Sequence, residues 1–205
     1  MNVAEPVGAA ESQEEAAVIG PSPDGAAASS PISEGPPVRA RPQVIGGEEV
    51  WPERWGMTTQ QIADLLVLLK HEEGWDSDYN VYAMVTNYII PWTRGTGVGY
   101  ALSVNAAEPK EVTLMVSHAW GENAEAFLEA LLRSSAKDDV LFVCSLSIYQ
   151  PEDGVGPTIM EQIGSDPMES PFRRVLEHIK ARGVAAGCRW RPGGMKWLPQ
   201  AFLLL

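Results

Sequence analysis

The nine residues from Leu114 to Glu122 read LMVSHAWGE and pass from continuous apolar to polar, aromatic and flexible. Five of the last six have a chemistry to offer. Ser117 and His118 can hydrogen-bond a phosphate or a ribose, Trp120 can stack on a base, Gly121 admits close backbone approach, and Glu122 places a carboxylate at a helix start. A structural alternative exists for the same residues. Trp120 can close the end of a core, His118 can bond a neighbouring loop, and Glu122 can serve the helix N-terminus through its charge. No second catalytic partner adjoins them in the chain, so both readings stay open and no residue is named as catalytic.

Other pairs are weaker. His118 and Glu122 have an i,i+4 spacing that suits a metal, but they straddle a loop and a helix start with no second histidine nearby. His118 with Cys144 has the residue types of a base and a thiol nucleophile. Cys144 sits inside the apolar run VLFVCSL, however, where burial raises a thiol pKa and leaves it inert. His71-Glu72-Glu73 and Glu177-His178 read as solvated helix ends or faces. Neither metal nor covalent chemistry is expected, and these residues require no cofactor. The alternating glycines of GTGVGYALSV lack the strand before, the helix after and the G-x-x-G step of a dinucleotide loop, and predict a flexible turn into a short strand, Tyr100 to Val104.

These residues need a scaffold, and the periodicity supplies one. Thr58-x-x-Gln61 is a capping box, followed by Ile62, Leu65, Leu66 and Leu69 at helical spacing until Gly74. A second helix starts at Ser77 or Asp78, carries Val81, Met84, Val85, Tyr88 and Ile89 on one side, and ends before Pro91, its β-branched content leaving a strand open as the alternative. Val112 to Val116 and Val140 to Leu146 read as buried strands. Between them a helix from Asn123 to about Ser134 turns Ala126, Phe127, Ala130 and Leu131 inward. Two uninterrupted apolar strands joined by a helix predict a βαβ unit in a parallel sheet covered on both faces. A polar segment without its own periodicity, Ser147 to Ser170, precedes a helix from Phe172 to Arg182. In such a sheet ligands bind beyond the carboxyl ends of strands, where Ser117 to Glu122 falls.

The totals set limits. The 205 residues carry a net charge of −12, which excludes a direct grip on nucleic acid or an anionic membrane surface. A hydrophobic share of 45% suffices for a core, and two cysteines without metal or redox spacing fit a reduced, cytoplasmic chain. Residues 1–47, rich in Ala, Pro, Gly, Ser and Glu and without an aromatic side chain, predict a disordered leader dispensable for folding, with order beginning near Trp51. Residues 51–110 then form a helical lead-in with a short strand and residues 111–183 an α/β domain. Residues 184–205 form an irregular tail with Arg189, Arg191 and Lys196 and no acidic residue.

From Asn87 to Leu176 the chain carries NYIIPWT, GVGYALSVN, MVSHAWGE, FVCSLSIYQ and SPF ahead of a helix. This pattern resembles a divergent TIR-like (Toll/interleukin-1 receptor-like) domain family of microalgal proteins, chiefly through VSHAW, SIYQ and SPF. The resemblance implies a flavodoxin-like sheet, here partial because only two core strands precede Val184. It makes Ser117 to Glu122 the loop bordering a pocket for NAD or a related nucleotide, and Ser147 to Ser170 a loop used in assembly. TIR domains either self-associate as signalling scaffolds or cleave NAD with a glutamate on a later helix, which in this family follows a WCxxE-like motif. No such motif follows Gly183, and Glu177 lies on an earlier helix. The implied function is a catalytically incompetent, truncated interaction module that meets itself or other TIR-type proteins. NAD hydrolysis with Glu122 as the carboxylate, and an unrelated small-molecule role, are the alternatives.

Overall fold

The structure, a computed structural model, describes residues 37–186, with side chains up to residue 183. Folded chain begins before Trp51. Gln43–Ile45 (β1) and Glu48–Val50 (β2) form an antiparallel hairpin, and its two-residue turn demands positive φ, which Gly46 and Gly47 supply at 59° and 86°. Met57–Thr58 (β3) leads into Thr59–His71 (α1), whose capping box is present as predicted: Gln61 N–H donates to the Thr58 hydroxyl and Thr58 N–H to the Gln61 side chain. Its predicted face, Ile62, Leu65, Leu66 and Leu69, is buried.

The second helix starts at Asn80, which caps Ala83 N–H, and runs through Pro91 rather than stopping before it. Val81–Met84 (α2) continues as a π-helical turn, Val85–Ile89, and then as Ile90–Thr93 (α3). In that turn Ile90 N–H donates to the Val85 carbonyl, five residues back. The wider loop draws the preceding carbonyls away from the proline ring, which would otherwise clash with the carbonyl four residues before it. Tyr100–Val104, expected as a strand, is a short helix (α4). Leu114–Val116 (β4), Ala124–Ser134 (α5) and Val140–Val143 (β5) give the expected βαβ unit, with β4 and β5 parallel. The inward face of α5 is Ala124, Phe127, Leu128 and Leu131, so Ala126 is exposed and Ala130 only half-buried. The apolar run after Val143 turns into Cys144–Ser147 (α6) instead of extending the strand to Leu146. The segment expected to be irregular holds its own capped helix, Ile159–Ile163 (α7), with Thr158 and Glu161 as the box. Pro171–Ala186 (α8) closes the described chain.

The sheet is mixed rather than parallel, in the order β3-β5-β4 with β3 antiparallel to β5. No periodicity could show β3, since two residues are too few for alternation. Alternate side chains of a strand leave on opposite faces, so β5 feeds two cores. Leu141 and Val143 join α1, α2 and α5 on one side. Phe142 joins Trp55, Leu102, Val112 and Val175 on the other. The result is a small mixed sheet flanked by helices on both faces. Residues 184–186, expected to begin the irregular tail, continue α8, and the rest of the tail with Trp190 and Trp197 lies outside the described residues, as does the leader up to residue 36.

Candidate functional site

Strands β4 and β5 are parallel, so they end on the same side, and Ser117 to Glu122 emerges beside Cys144. Asn123 caps α5 by accepting from Ala126 N–H, and its amide donates to the Ser77 carbonyl. The loop is then stitched to the start of the second helix. Ala124 N–H donates to Tyr79 O, Val81 N–H to Glu122 O, and Tyr82 N–H to Trp120 O. Backbone on one side and helix start on the other fix its shape.

His118 lies partly buried under this loop, packed on Phe127 at 5.0 Å and Trp120 at 5.6 Å between ring centroids. Its Nε2 stands 3.2 Å from Cys144 Sγ, and its Nδ1 is buried with no hydrogen-bond partner. The pair predicted from residue types is therefore in contact, but its electrostatics oppose catalysis. Burial pushes the thiol up to about 11, and burial also lowers the imidazole below its ordinary value, the nearby Ala119 backbone and Glu122 charge offsetting only part of that. A nucleophilic thiol needs the opposite arrangement, a thiolate stabilised by an imidazolium.

Glu122 points back into its own turn, where Oε1 accepts from Ala119 N–H at 2.8 Å. That is a structural role, though in the loop rather than at the helix N-terminus where its charge was expected to act. Gly121 has nothing within 4 Å of a would-be Cβ and an ordinary φ, so close backbone approach is not what placed a glycine there. Ser117 is exposed. Trp120, 41% exposed, stands edge-on to Tyr82, itself 64% exposed, with centroids 6.5 Å apart. Tyr82 belongs to this surface and escaped the sequence reading, because its signal was only that it fell on the polar side of a helix otherwise read for its core. Of the five candidates, His118, Trp120 and Glu122 are drawn into one cluster while Ser117 and Gly121 face open space.

No protein family, no curated protein and no solved structure matches this chain. The remaining evidence for function is the geometry itself. The glycine triplet does not cradle phosphate. Two of its three amides are already engaged, Gly95 N–H with Asp153 Oδ2 at 2.7 Å and Gly99 N–H with Gln43 Oε1 at 2.8 Å. Two surface hollows also lie away from the loop. One of about 550 Å³ runs between Glu53–Arg54, Glu108–Glu111 and His178, and one of about 440 Å³ lies on α1. Among the described residues no group of three His, Cys, Asp or Glu side chains is placed to hold a metal ion, and no helix is long and apolar enough to cross a membrane.

Proposed function

We propose that the chain is a TIR-like interaction module of partial flavodoxin-like design that self-associates and does not cleave NAD. The observation that carries this is the Tyr82–Trp120 pair, two large aromatic rings presented to solvent over a histidine whose pKa burial lowers. Aromatic side chains with an apolar body and a polar edge are the common anchors of protein contacts. The segment that the resemblance assigns to assembly also presents Val155, Met160 and Met168 to solvent. Glu122, whose carboxylate is held by Ala119 N–H, is poorly disposed to stabilise an oxocarbenium-like transition state.

Light scattering across concentration tests the reading. The mass should rise with concentration, and Tyr82→Ser with Trp120→Ser should remove the rise. A strict monomer at every concentration sinks it. Nicotinamide release from NAD, lost in Glu122→Gln, would establish the hydrolase instead.

A further inference from the structure

Strand β4 has one side that its own sheet does not use. In the order β3-β5-β4 it pairs only with β5. Which of its groups that pairing engages follows from β5. Val140 N–H donates to Thr113 Oγ1 and Val140 O accepts from Thr113 N–H, both at 2.8 Å, so Val140 turns its backbone towards β4. Val143 N–H instead donates to Ser147 Oγ, which donates to Trp55 O at the entry to β3. Successive residues of a strand present their backbone groups to opposite sides. Phe142 therefore also faces β4 and, level with Met115, bonds the residues on either side of it, Leu114 and Val116. Met115 N–H and C=O are turned to the open side, and among the described residues neither has a hydrogen-bond partner. Neither charge nor proline guards that side. Residues 112–121 contain no Pro, Asp, Glu, Lys or Arg in a chain of net charge −12, and Leu114 is 38% exposed.

We propose that this edge is where the chain meets a second copy of itself, β4 against β4 and antiparallel, about a two-fold axis at Met115. The inference rests on the self-association proposed above and names its surface. Pairing about that axis is self-complementary. Met115 N–H of each copy meets Met115 C=O of the other, Leu114 lies opposite Val116 of the second copy, and Thr113 lies opposite its Ser117. Two three-stranded sheets become one of six strands, and Leu114 gains a neighbour on its own face. Charge selects the occupant. A foreign partner recruited by so acidic a chain would be basic, and this edge offers it no carboxylate, whereas two copies meet here without bringing like charges together. Three residues of strand supply few bonds, so the pair forms and dissociates with concentration. Trp120 stands in the loop that leaves the same strand, four residues beyond Val116.

The test is disulfide cross-linking of the full chain carrying Cys188→Ser, in a glutathione redox buffer. Met115→Cys should give a cross-linked dimer at concentrations where the mass rises, because directly paired residues of this kind lie about 5.5 Å apart at Cα, within disulfide reach. Leu114→Cys, at the more exposed position, should cross-link about fivefold more slowly or worse, since the two copies of Leu114 lie diagonally at about 7–8 Å. Met115→Pro removes the outward N–H, spares the bonds of Leu114 and Val116 to β5, and should abolish the rise in mass. If that variant fails to fold, Leu114→Lys, which puts a charge on the edge, should raise the concentration of half-association about tenfold or more. Suppose the chain associates and Tyr82→Ser with Trp120→Ser removes the association, yet Leu114→Cys cross-links as fast as Met115→Cys or Leu114→Lys changes nothing. That result overturns the edge pairing and leaves self-association standing. A strict monomer overturns both.

Discussion

His118 and Cys144 touch, and burial shifts both away from the charged forms that an imidazolium–thiolate pair would need. In a Cys188→Ser background, Cys144 alkylation at neutral pH should run about a hundredfold slower in the native chain than in urea, because a thiol pushed from 9.0 to about 11 loses that factor of thiolate. A native rate equal to the unfolded one would show that the pocket is open. The histidine gives a pH signature. Its folded pKa is lowered from 6.5, so the unfolded chain takes the proton first, and the stability present above pH 6.5 is lost as pH falls through the folded value. Urea midpoints should therefore drop as the pH falls below 6.5, and His118→Phe should flatten that dependence. Asp153, lowered first by the Tyr149 hydroxyl, and Glu161, lowered first by Thr158 N–H, act separately, with stability kept above the ordinary carboxylate range and lost below it. At this scale the sequence foresaw the buried thiol, its pKa raised by its apolar setting. It missed Tyr82 because a solvent-facing tyrosine has no periodicity of its own.

Gln43 shows why the boundary of the folded element was illegible. Fully buried, it donates to Ser147 O and Gln162 Oε1 and accepts from Gly99 N–H, joining the hairpin, α6, α7 and α4. A single glutamine in a Pro- and Gly-rich stretch carries no apolar signal, so the leader was drawn too long. A chain starting at residue 37 should keep its denaturation midpoint, whereas one starting at residue 48, or Gln43→Ala, should lose about 2–4 kcal/mol through stranded polar groups. Gly99 is the companion case. Its Cβ would stand 2.3 Å from Ser147 O, so Gly99→Ala should destabilise by more than about 2 kcal/mol, and a thermal melt matching wild type would refute the close approach. The glycine triplet was read as a turn into a strand because Tyr-Ala-Leu-Ser-Val fits either period over five residues. The Ser103 N–H bond to Gly99 O, four residues back, settles it as helix. The capping box of α1 was legible because it is local chemistry.

Across the molecule, the parallel pair and the helix between it followed from apolar runs, while the antiparallel strand β3 did not. Only its pairing with β5, Met57 against Leu141, makes it a strand. That pairing completes the other side of β5 and places Leu141 and Phe142 back to back in separate cores. Because one strand serves both, they should melt together. Phe142→Ala should cost about 3–5 kcal/mol yet leave a single unfolding transition by both near-UV and far-UV circular dichroism. Two separated transitions would mean that the cores are independent.

The π-helical turn at Val85–Ile89 has a genetic consequence. It holds one residue more than the regular ladder would need, and Pro91 is accommodated only because that residue is there. Deleting the exposed Asn87 alone would restore regular pitch and press the proline ring onto the Thr86 carbonyl, a penalty of about 3 kcal/mol. Deleting Asn87 together with Pro91→Ala should recover most of it. The deletion and the substitution are thus tolerated in only one order: the proline must go before the extra residue can.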